Sequence, residues 1–240
     1  MQWHFSSQRG LWTMMAMVIV AAVMPGCASK RIYLDDSERA ALRKQPAIHV
    51  VHYLTPTPEV KPPSVRKHYV TVNLHDVPSG AEIANNVKVD LTLDIAKAFT
   101  QVLTKEAGLG NLRMQNEVTP LPVVKDGGSY KDTLKSGSVL EVWVERYTYA
   151  FIPVDWQTYS VLVKGRARLT RLDDGKVLWN TGECSWGGSG NNTHGDRLVL
   201  GELKTSESKK VQAKIKQTLN EVAQQCARQL VQDYYKNDKQ

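Results

Sequence analysis

Histidine and cysteine are the residue types in this 240-residue chain most easily recruited to a metal or a nucleophilic step, and there are six of the first and three of the second. Their spacing argues against both uses. His49 and His52 lie three apart in a segment that reads as a strand, so their side chains leave opposite faces and cannot chelate one ion. His68 and His75 sit in or beside a second such segment, and His194 stands alone in a glycine-rich loop. With no His-Glu-x-x-His and no paired-cysteine spacing, no metal site is expected. A Gly-x-Ser-x-Gly elbow is absent, and Gly187-Gly188-Ser189-Gly190 lacks the Lys-Ser/Thr ending of a phosphate cradle. Asp155, Asp173, Asp174 and Asp196 stand where turns and loops form. No catalytic residue is assigned, and an enzyme is not expected. Recognition has better candidates. Trp143, Tyr147 and Tyr149 share one side of a strand and form a candidate partner surface, the alternative being that a helix covers them. The row Lys164, Arg166 and Arg168 reads first as a solvated face and second as an anion-binding one.

The third chemical feature is Cys27. Met1–Gly10 is polar and carries Arg9, and Leu11–Val23 is a run of thirteen apolar or near-apolar residues without a charge. About twenty would be needed to span a bilayer core as a helix, so this is the pattern of an export leader. It ends at Met24-Pro25-Gly26-Cys27, which resembles a bacterial lipoprotein signal, in which a small residue precedes an acylated cysteine. Gly26 and Cys27 carry the resemblance, while Met24 and Pro25 replace the usual residues. The resemblance implies cleavage before Cys27 and a covalent S-diacylglyceryl and N-acyl lipid on it. Two or three chains, each contributing roughly 0.8 kcal/mol per buried methylene, anchor a protein stably. Ala28 in the place of the aspartate that retains lipoproteins in the inner membrane implies the periplasmic face of the outer membrane. An ordinary leader cut after Ala28 and an uncleaved anchor are the alternatives. No other cofactor is expected. Once Cys27 is acylated, Cys184 and Cys226 are left in an oxidising compartment as a disulfide candidate, with a buried free thiol on the apolar stripe of a helix equally open.

The elements that position these residues follow from periodicity. The net charge of +7 becomes +6 once the leader and its single base are removed, and the excess is spread along the chain. It fits a solvated basic surface, and no nucleic-acid motif or partner is expected. Ala28–Pro46 is polar and reads as a tether with a short helix from Ser37, giving a leader over 1–26, a tether over 27–46 and a single domain over 47–240. Ala47–Leu54 and Lys67–Leu74 are strands separated by the proline-rich Thr55–Ser64. One helix is expected over Ala84–Ala107, stopped by Gly108 and Gly110. Ser138–Tyr149, Trp156–Leu172 and Val177–Trp186 alternate as a meander, its second turn marked by Asp174-Gly175. A long loop over Gly187–Glu207 precedes a terminal helix, which Ser208 caps and which carries a seam of Val211, Ile215, Leu219, Val222, Cys226, Leu230 and Tyr234. Two long one-sided helices need one sheet to cover, so the expected fold is α+β: a two-layer sandwich with a mixed, mainly antiparallel sheet.

The strand VLEVWVE, the hairpin LTRLDDGKVLW, a polar loop and the terminal amphipathic helix together resemble a loose group of periplasmic α/β lipoproteins. That group takes in activators of penicillin-binding proteins, the curli-secretion family, the amino-terminal domain of the Tol–Pal translocation protein TolB, and auxiliary lipoproteins of ABC-type transporters. The resemblance spans about Ser138–Tyr235 and carries over no functional residue. It implies a non-enzymatic accessory of a cell-envelope machine, held to the membrane by its lipid and bound to an envelope protein. The other readings are an oligomeric secretion or pore component of the curli type and, last, an envelope hydrolase.

Overall fold

The alternation over residues 138–186 folds into three long antiparallel strands, and the rest of the molecule is arranged around them. The computed structural model describes residues 31–61, 77–115, 134, 136–151, 158–187, 197–199 and 203–236. In chain order the elements are α1 (Asp36–Lys44), β1 (Ile48–His52), β2 (Glu59–Lys61), α2 (Gly80–Val87), α3 (Leu91–Ala107), β3 (Leu112–Met114), β4 (Ser138–Phe151), β5 (Thr158–Arg171), β6 (Val177–Trp186), β7 (Arg197–Val199) and α4 (Lys209–Tyr235). The strands form one sheet in the order β3-β1-β4-β5-β6, with β2 beside the second half of β4 and β7 beside the start of β5. The pairs of β4 with β5 and of β5 with β6 and β7 are antiparallel, and those of β1 with β3 and β4 and of β2 with β4 are parallel. The long ladders are the antiparallel ones, and the fold is the α+β sandwich that the periodicity predicts.

α3 and α4 lie side by side over one face of the sheet. Ile95, Phe99 and Leu103 of α3 and Ile215, Leu219, Val222, Cys226 and Leu230 of α4 are buried there, against Leu140, Val142, Val161, Val163 and Trp179. The seam of α4 works as its spacing predicts. The single helix expected over Ala84–Ala107 is instead two. Lys88 closes α2 in the left-handed region at φ 52°, and the Asp90 carboxylate opens α3 by accepting from the Leu93 amide. A side chain that caps a new helix N-terminus outweighs the continuity of an apolar stripe, which survives the break because Val87 and Leu91 are both in the core.

The largest departure from expectation concerns residues 31–46, which belong to the folded unit that begins at Arg31. Leu34 and Leu42 are core residues. Asp35 caps α1 in a reciprocal box with Glu38. The Arg43 Nε donates to the Ala107 carbonyl, and the Asn111 side chain donates to the carbonyls of Leu42 and Gln45. The segment is polar on one side only, so average polarity disguised it as a tether. Lys67–Leu74 and Cys27 lie outside the described residues, as does most of the Gly187–Glu207 stretch. Among the described residues no helix is long and apolar enough to cross a membrane.

Candidate docking face and N-terminal anchor

The candidate site has two parts: the sheet face on which none of the described helices packs, called the helix-free face below, and the strand edge to which the N-terminal segment is fastened. On β4 the alternation breaks at a bulge, where Val144 pairs with Gly165 but Arg146 with Lys164, leaving Glu145 as an extra residue. A one-residue insertion turns every later side chain over. Glu141 and Trp143, before the bulge, lie on the helix-free face. Tyr147 and Tyr149, after it, point into the helix-covered core, where they are 7% and 0% exposed. The expected surface of Trp143, Tyr147 and Tyr149 is therefore divided between the two faces. The two tyrosine hydroxyls bond to each other at 2.6 Å. Burial pushes the Tyr149 hydroxyl up to about 12, and burial followed by the neighbouring Tyr149 raises Tyr147 well above the usual tyrosine value. Tyr147 also lines a cavity of about 90 Å³ with Pro56, Pro58, Ile83, Val87 and Leu219 among its walls.

Trp143 stays half-buried on the helix-free face. Its ring meets Tyr53 edge-on at 6.3 Å, and the Arg168 guanidinium lies 6.0 Å from the ring centroid. Arg168 also forks onto the Glu141 carboxylate at 2.6 and 2.9 Å, and the Tyr53 hydroxyl donates to the same carboxylate at 2.5 Å. Glu141 is 1% exposed, so this charge is held away from water by a bidentate partner and a hydroxyl. Next to the cluster, Lys164 and Arg166 lie between Glu145 of β4 and Glu183 of β6 at 2.5–3.4 Å. The basic row is thus neutralised by cross-strand carboxylates, and its reading as an anion surface does not stand. Sequence reasoning missed this pairing because the acids that answer the bases come from different strands.

The edge strand β6 is closed along its outer side. The Ile32 amide donates to the Asn180 side-chain oxygen at 2.7 Å, and the Asn180 amide donates to the Ile32 carbonyl at 3.2 Å. Further along, the Glu183 amide donates to Asp233 and the Ser185 amide to Gln229, both acceptors on α4. Cys184 lies between them. It is bonded to Cys226 of α4, with their Cα atoms 5.1 Å apart. Gly165 on β5 sits under this pair, where a Cβ would come within 2.8 Å of the Cys184 sulfur and 3.2 Å of the Cys226 sulfur. At the end of α4, the Arg39 guanidinium is buried and donates to the Tyr234 carbonyl at 3.0 Å, which holds α1 against that terminus. A sequence signal for the anchor was available in Asp35-x-x-Glu38 preceded by Ile32 and Leu34.

The two described histidines, His49 and His52, do not form a shared site. His52 is buried on the face that Ile48 and Val50 share, and His49 meets the Gln115 side chain at 3.1 Å. His68, His75 and His194 lie outside the described residues. Among the described residues no group of three His, Cys, Asp or Glu side chains could hold a metal ion.

No protein-family model and no curated protein matches this chain. Among solved structures it is similar to a protein of the family DUF330 from Xanthomonas campestris, 12% identical over 84% of this chain and 91% of that one, with a TM-score of 0.33. It is also similar to lipoprotein GNA1162 from Neisseria meningitidis, 17% identical over 66% and 94%, with a TM-score of 0.26. A third is a PelC dodecamer from Paraburkholderia phytofirmans, 15% identical over 72% and 88%, with a TM-score of 0.24.

Proposed function

We propose that this protein is a lipid-anchored, non-enzymatic accessory of a cell-envelope assembly, exported, acylated at Cys27 and working on the periplasmic side of the outer membrane. The observation that carries the reading is the use of cysteine: one stands at the end of an export leader, and the other two meet in the core as a disulfide. A buried bridge of that kind supports maturation in an oxidising compartment. The contact surface for an envelope protein is the helix-free sheet face around Trp143, where an aromatic ring and alternating charges are fixed on rigid strands. Replacing Cys27→Ser should remove the acyl mass from the mature protein and release it from the membrane fraction. Retention of the protein on membranes with its leader cleaved would reject the anchor. Co-purification from native envelopes tests the accessory role. The pair Trp143→Ala and Lys164→Gln should abolish capture of the partner by protein that retains a cooperative thermal transition, and undiminished capture would reject that face.

A further inference from the structure

We infer that the folded unit stands on the bilayer by one defined end, formed by the β5–β6 turn, α1 and the C-terminus of α4, with the N-terminus of α4 directed away from it. The inference rests on the acylation of Cys27 proposed above. Ile32 is fastened to β6 by two hydrogen bonds with Asn180, and Leu34 is in the core. Only Ala28, Ser29, Lys30 and Arg31 lie between Cys27 and Ile32. At about 3.3–3.6 Å per residue, five steps reach about 18 Å at most when fully extended. The point of attachment is close to the β5–β6 turn: Asn180 is four residues beyond Lys176, and Lys176 pairs with Glu38 of α1. α4 has 27 residues and so runs about 40 Å at about 1.5 Å per residue. Its far end therefore lies well beyond the reach of the short spacer.

Among the described residues the exposed large apolar side chains are Leu54 and Tyr235; Tyr235 lies at the same end, while Leu54 follows β1 away from it. Tyr235 closes α4 and meets Tyr234 edge-on, and the Tyr234 carbonyl receives Arg39 of α1. A tyrosine in this position suits the headgroup layer, where its ring and hydroxyl are both accommodated. Acids and bases share this end, among them Asp36, Arg43, Lys44 and Asp173, so an anionic lipid is not what selects it; the spacer and the aromatic ring are.

The test uses the full acylated protein, purified from its envelope and reconstituted into phosphatidylcholine vesicles that contain a lipid with a nitroxide on its headgroup. A fluorophore is attached to a single added cysteine, Asp173→Cys at the turn or Lys210→Cys in the first turn of α4; both positions are exposed, and Cys184 and Cys226 are bonded to each other. The dye at position 173 should lose most of its emission and the dye at position 210 should keep it. Equal loss, or greater loss at 210, would overturn the orientation. Inserting twenty Gly/Ser residues between Ala28 and Ser29 should restore emission at position 173, and unchanged quenching there would overturn the spacer as its cause. Acyl mass and vesicle flotation are measured on the same preparation. Protein without acyl groups refutes the anchor itself, whereas acylated, floating protein with equal quenching refutes only the orientation.

Discussion

Glu141 is the residue whose environment is most demanding, because a carboxylate that is 1% exposed depends on the partners around it. Arg168→Leu removes the forked partner and leaves only the Tyr53 hydroxyl among the contacts described for Glu141. Breaking a buried pair in this way costs about 3–5 kcal/mol, read as a lowered urea midpoint with unchanged slope. The paired change Glu141→Leu with Arg168→Leu should recover part of that loss, since two apolar side chains need no partner while the Tyr53 hydroxyl gives up its bond to Glu141. Gly165 makes a second prediction at this scale. A Cβ there meets two bonded sulfurs that cannot rotate away, so Gly165→Ala should destabilise by about 1–3 kcal/mol, measured in the same unfolding experiment under non-reducing conditions. Neither residue stands out in the sequence. Glu141 reads there as one of the polar members of an alternating strand, and Gly165 as an ordinary glycine; only the register of β4 on β5 and the crossing of α4 give them their roles.

At the scale of elements, the link from α4 to β6 is covalent. The bridge between Cys184 and Cys226 closes a loop with a sequence separation of 42, which by loop entropy is worth about 4 kcal/mol. Cys184→Ala with Cys226→Ala should lower the melting temperature accordingly, and a thiol count on the denatured, unreduced protein should find neither cysteine free. The N-terminal segment offers a sharper contrast. A tether could be removed without effect, whereas deletion of residues 31–46 takes away Leu34, Leu42 and the lid that Arg39 makes on α4. That deletion should broaden or abolish the cooperative thermal transition while leaving far-UV helix and strand signals largely present. The three-strand meander and the seam of α4 were legible because their periods persist for ten or more residues. The segment before Pro46 and the break at Lys88 were not, because capping by Asp35 and Asp90 acts over three residues and leaves no period to read. Tyr147 and Tyr149 were assigned to the wrong side for the same kind of reason: a bulge is a local event set by pairing with β5, and strict alternation cannot register it.

For the molecule as a whole, the tyrosines set a limit on the alkaline side. An unfolded chain ionises tyrosine near pH 10, whereas burial keeps Tyr149 and Tyr234 neutral up to about 12 and raises Tyr147 and Tyr159 in the same direction. Between those values the unfolded state binds fewer protons than the folded one, so stability falls as pH rises. Urea midpoints should decline as pH rises from about 10 toward 12, measured at constant ionic strength. The meander and the terminal helix were legible in the last hundred residues, while the charge pairing around Trp143 was not, because rows of charge from three strands meet only in the assembled sheet. The fastening of β6 also restricts how any other chain can be received. With the outward amides of Asn180, Glu183 and Ser185 already engaged, an extended peptide finds these three donors taken along that margin, which disfavours strand addition there. Recruitment on that side must read side chains rather than backbone, and charge swaps should alter it where changes in strand propensity do not.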